Sequence, residues 1–157
     1  CHPRDNIALR WMSQNLDLGY DLFDAIMKAR EGQAENMAKE LIKYKLPVII
    51  IGKAYKPGVI YEDGSYSILV GYYIKKFGHQ VYYHDPLTKD FVPKKVRSAT
   101  YLIAHDFEVS YSGTKAPKIK KLKKIKFKKN SIIVDPYRKC PPIKNCKVIH
   151  YGNTRLI

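Results

Sequence analysis

Three cysteines in 157 residues, an odd number without dense spacing, exclude a small scaffold stapled by disulfides. Acid is also scarce: 14 Asp and Glu face 29 Lys and Arg, leaving a formal charge of +15. No long apolar run is present. The longest, Pro47 to Ile51, falls far short of the roughly 20 residues that span a bilayer. At the N-terminus, charged residues precede an amphipathic pattern rather than the continuous apolar stretch of a signal peptide, so the expected compartment is the cytoplasm. No Gly-x-Gly-x-x-Gly follows a candidate strand, which removes the dinucleotide fingerprint from the chain. What is present, 45% apolar residues, suffices for one domain with a real core plus an appendage.

The positive charge is local. Nine of the lysines lie between Lys115 and Lys129 with no acid among them. Ile119, Leu122, Ile125 and Phe127 recur there at roughly helical spacing, which predicts an amphipathic helix with its lysines in water. A basic helix can also engage phosphates of nucleic acid or an anionic membrane. Phe127 is the only ring in the run, so base stacking has little support and nucleic acid is not the expected partner. Cys140 and Cys146 are near enough to meet across a Pro-Pro loop, but two thiols alone make no zinc site, and no metal is expected.

Hydrophobic periodicity divides the chain in two. Ile7, Ala8, Trp11 and Met12 mark a first helix from about Arg4 to Leu16, with Gly19 as its break. Asp21-Leu22-Phe23-Asp24 resembles a capping box, and the apolar stripe from Leu22 to Ile42 predicts a second helix to about Lys45. That stripe suits either a core-facing helix or one packed on a second copy. Pro47 then opens the second part. Val48-Ile49-Ile50-Ile51 reads as a strand buried on both faces, Ser65 to Phe77 as a helix stopping at Gly78, and Val81-Tyr82-Tyr83 as the next strand. Tyr101 to Ala104, Ile132 to Val134 and Val148-Ile149 supply further short strands, and Tyr111 to Pro117 reads as loop. The expected fold is α/β: long N-terminal helices (1–46) followed by a Rossmann-like, mainly parallel open sheet (47–157), with ligands at the carboxyl ends of its strands.

Cys1-His2-Pro3-Arg4-Asp5 carries the chemistry. With Pro3 in the first helical turn, Cys1 lies just outside the N-terminus and Asp5 one turn in, both able to face one site. The helix dipole and Arg4 favour the thiolate, the form that attacks a carbonyl carbon. A carboxylate one turn away can position water or carry a proton. Taken alone, Cys-x-x-x-Asp reads first as an incidental cysteine and an ordinary helix start.

Three motifs in order change that balance. Cys1, Pro3, Arg4 and Asp5, continued by Asn6-Ile7-Ala8-Leu9, resemble the second half of the Gly-Gly-x-Cys-x-Pro-Lys-Asp motif of the UDP-glucose/GDP-mannose dehydrogenase family. Ile51-Gly52-Lys53-Ala54-Tyr55-Lys56-Pro57 is similar to that family's Gly-x-Ala-Phe-Lys-Pro, and Gly78-His79-Gln80-Val81-Tyr82-Tyr83-His84-Asp85-Pro86 to its Gly-x-x-Val-x-x-Tyr-Asp-Pro. Glu31 and Gln33 fit its central helix, although Arg30 stands where asparagine is usual. The Asp-x-Arg pair expected after Pro57 is replaced by Gly58 to Gly64, and Asp135-Pro136-Tyr137-Arg138 is similar to an Asp-Gly-Arg segment with one residue inserted.

The resemblance implies NAD-dependent, two-step oxidation of the C6 alcohol of a UDP-sugar, UDP-glucose favoured, to the uronate. Cys1 would form the thiohemiacetal and thioester, Asp5 would move a proton or activate water, and Lys56 and Arg138 would hold the nucleotide sugar. The NAD domain and the glycines before the cysteine would precede residue 1, so the chain reads as part of something longer, inactive alone and paired as a homodimer through its first helices. Two other classes remain: a stand-alone UDP-sugar-binding module, and a polyanion-binding protein using Lys115 to Lys129.

Overall fold

The computed structural model describes residues 2–106 and 125–152. Two helices come first, α1 (His2–Asn15) and α2 (Leu22–Ile42). They are followed by β1 (Val48–Ile51), α3 (Tyr66–Lys76), β2 (Val81–His84), β3 (Thr100–Ile103), β4 (Ser131–Asp135) and β5 (Cys146–His150). The strands form one sheet in the order β2-β1-β3-β4-β5, every pairing parallel. The Rossmann-like α/β expectation therefore holds.

Local chemistry explains the boundaries. Asp21 caps α2 by accepting a hydrogen bond from the Asp24 amide at 2.8 Å, as the capping box predicts. Ser65 caps α3 in the same way, and Gly78 (φ +77°) follows its end. The four residues of β1 are fully buried, the burial expected of a central parallel strand. Ile49, Ile50 and Ile51 together form the centre of the core, each buried isoleucine worth about 1.5–3 kcal/mol.

Alternate residues of the strands serve two different faces. Val48, Ile50, Leu102 and Val134 pack against Ala34, Met37, Ala38 and Leu41 of α2 and against Val70 and Ile74 of α3. Ile49, Ile51, Tyr101, Ile103 and Ile133 pack instead on Val96, Ala99, Phe127, Cys140 and other residues of irregular segments. Helices therefore cover one face of the sheet, and coil covers the other among the described residues.

Three expectations need correction. Helix α2 stops at Ile42 rather than Lys45, and only its C-terminal half is buried; Leu22 is 55% exposed. The apolar residues that marked α1 do not face a core: Ile7, Trp11 and Met12 are exposed, and Asn6 and Ser13 are buried in their place. The amphipathic helix expected over Lys115 to Lys129 lies largely outside the described residues, as does the loop from Tyr111 to Pro117. Its described end, 125–129, is not helical. Ile125 and Phe127 there pack against the coil-covered face, and the Phe127 ring meets Tyr101 edge-on at 5.0 Å.

Candidate functional site

In an open parallel sheet of order 2-1-3-4-5, the crevice for ligands lies at the carboxyl ends of the strands, where the connections after β1 and β3 diverge. The loop after β1 enters that crevice through Gly52, whose φ of +96° suits glycine. The His105 ring lies against Gly52, with its Nε2 2.9 Å from the Ala54 carbonyl. That oxygen can only accept, so Nε2 carries the proton. Burial lowers the His105 pKa, which favours the neutral imidazole.

Asp85, at the end of β2, completes the closure. Its Oδ2 accepts from the amides of Lys53 at 2.8 Å and Ala54 at 3.2 Å, while Oδ1 accepts from Leu87 at 3.1 Å. Asp135 repeats the device at the end of β4, accepting from the amides of Tyr137, Lys139 and Cys140 at 2.6–2.9 Å. The protein's own carboxylate thus occupies the amides a phosphate would seek after β1. Sequence reading missed Asp85, Asp135 and His105 as organisers, although two of them stand at strand ends followed by proline.

The two lysines of the β1 loop have different fates. Lys53 Nζ reaches Glu62 at 2.9 Å and Asp90 at 3.1 Å, which raise its pKa. It is a structural tie. Lys56 is exposed, in the loop between the stacked pair Tyr55 and Tyr61, whose ring centroids are 5.6 Å apart. Arg138 is exposed on the loop after β4, with φ +58° and a guanidinium donating to the Gly152 carbonyl. One strand, β3, separates β1 from β4, so these loops leave the sheet about 10 Å apart.

Two sequence motifs far apart in the chain also meet. A Cβ added to Gly64 would lie 2.8 Å from Pro3 Cγ and 3.6 Å from Tyr55 Cδ2, so the first turn of α1 sits beside the loop that follows β1. Arg30 of α2 fastens this junction by donating to the Gly64 carbonyl at 2.9 Å, giving a use to the residue that departs from the family's asparagine. Asp5 is exposed on that same first turn, and Cys1 lies outside the described residues. Glu31, another residue of the family pattern, is a strut: it accepts from the Tyr73 hydroxyl at 2.7 Å and pushes that phenol up to about 12.

A cavity of about 490 Å³ opens on the helix-covered face near the ends of β3 and β4. Met37, Tyr66, Tyr137 and Tyr151 line it, with the amide side chains of Gln33 and Asn36. The Tyr137 hydroxyl donates to the Ala104 carbonyl at 3.0 Å and fixes one wall. Cys140 and Cys146 are both free thiols.

No family model and no curated protein matches the sequence. Among solved structures, a GDP-mannose dehydrogenase from Pseudomonas aeruginosa, determined as a ternary complex, superposes with a TM-score of 0.60 at 11% identity, covering 94% of this chain. This chain spans 38% of that protein's length. The likeness is one of fold, an α/β architecture built on a parallel sheet.

Proposed function

We propose that this chain is the helical and nucleotide-sugar-binding portion of an NAD-dependent dehydrogenase that oxidises the C6 alcohol of a UDP-sugar, UDP-glucose favoured, to the uronate. The observation that carries the reading is the meeting of Pro3 with the Gly64 and Tyr55 loop. It brings the turn bearing Asp5 beside the carboxyl edge of a sheet whose fold is dehydrogenase-like. In this reading residues 1–46 are the dimerisation segment and 47–157 the sugar-nucleotide domain.

The β1 loop does not fit a dinucleotide. Its Lys53 and Ala54 amides are committed to Asp85, and the sequence has no glycine-rich turn, so NAD is assigned to another part of a longer protein. The chain's own contribution is recognition and acyl chemistry. Lys56 and Arg138 neutralise the pyrophosphate, and the tyrosine-lined cavity near Arg138 takes the base. The Cys1 thiolate adds to the sugar aldehyde to form a C–S bond. Once that adduct has been oxidised to a thioester, water attacks its carbonyl, Asp5 takes the proton of that water, and the thiol leaves as the acid departs.

Calorimetry on this chain with UDP-glucose, GDP-mannose and NAD tests the assignment. UDP-glucose binds and NAD does not; NAD binding without either sugar nucleotide overturns the reading, and a preference for GDP-mannose overturns the choice of base. In the complete enzyme, Cys1→Ser abolishes uronate formation while leaving sugar-nucleotide affinity nearly intact. Asp5→Asn accumulates a thioester on Cys1, visible by mass spectrometry. Sedimentation at tens of micromolar is expected to give a dimer.

A further inference from the structure

The coil-covered face holds a second cavity, of about 320 Å³. It shares no lining residue with the tyrosine-lined cavity, and Ile51 and Tyr101 on its floor belong to the coil-covered side of the sheet. Its volume lies at the low end of small-molecule sites.

Chemistry distinguishes its walls. Phe91 and His84 stand edge to face with centroids 6.3 Å apart, and Phe91 is 67% exposed. Lys126 and Lys128 also line the cavity. Ile125 and Phe127 alternate with these lysines and pack into the coil-side cluster, anchoring the segment that carries them. Neither lysine pairs with a carboxylate among the described residues, and no acid lines the cavity. The nearby acids are turned inward: Asp85 holds backbone amides, and Asp90 holds Lys53 and the Thr88 hydroxyl.

We propose that this cavity is a binding site for a small aryl phosphate, with its flat ring against Phe91 and His84 on the apolar floor and its dianion between Lys126 and Lys128. Two ammonium groups with no carboxylate partner among the described residues match the charge of a phosphate monoester, and the exposed ring supplies the stacking surface for a planar body.

The test is titration of the chain with 1-naphthyl phosphate, alone and in the presence of saturating UDP. Saturable binding is expected, unchanged by UDP within about twofold, and weakened about tenfold or more by combined Lys126→Met and Lys128→Met substitution. Phe91→Ala weakens it several-fold, and added salt weakens it further. A thermal melt verifies that each variant is folded. Absence of binding, indifference to the lysine substitutions, or full displacement by UDP overturns the proposal. So does binding of a single-stranded oligonucleotide by a protein that ignores naphthyl phosphate.

Discussion

Gly52 and His105 fit so closely that a Cβ on the glycine would lie 2.4 Å from Cγ of the imidazole. The contact joins the exits of the neighbouring strands β1 and β3. The same glycine carries a φ of +96°, so an alanine there meets both a steric and a conformational obstacle. Gly52→Ala is expected to destabilise the fold by about 2–4 kcal/mol. His105→Ala in the same chain should recover part of that loss by vacating the space. Urea denaturation of the single and double variants measures both; a change below about 0.5 kcal/mol in Gly52→Ala would contradict the packing.

Asp85 holds three amides from two loops, and alanine there would leave them without an acceptor in a buried setting. The expected cost of Asp85→Ala is about 3 kcal/mol. Asp63→Ala, at an exposed position, serves as the control and should change stability by less than about 0.5 kcal/mol. Equal effects at the two sites would refute the anchoring role.

Cys140 is buried, and burial, followed by the charge of Asp135, pushes its thiol up to about 11. The folded protein therefore holds this proton more tightly than the unfolded chain does. The resulting stability is complete below the ordinary thiol value near 9 and is lost as pH rises through about 11. At pH 8 a thiol reagent should modify Cys140 slowly in the native protein and promptly in urea. Rapid native labelling of Cys140, located by peptide mapping, would contradict this.

Much of the architecture was legible because its signals are local. The run Val48 to Ile51, the Ser65 cap and the Gly78 stop each lie within a few residues of what they determine. The site was less legible because its geometry is set by distant pairs. Asp85 meets the Lys53 amide across 32 positions and His105 meets Ala54 across 51, with no periodicity to announce either. That Glu62 and Asp90 hold Lys53 while Lys56 lies exposed is likewise set by residues far along the chain. Helix α1 was recognised by apolar residues that proved to lie outside, since periodicity reports that a face exists without saying what covers it.

That outward face contains the chain's single tryptophan, Trp11, at 65% exposure. An indole in that position makes the molecule its own optical gauge. Its emission is long-wavelength while water surrounds α1 and moves to the blue whenever another surface closes over the helix. Assembly at the N-terminal helices can thus be followed by fluorescence from the natural sequence, without an attached dye.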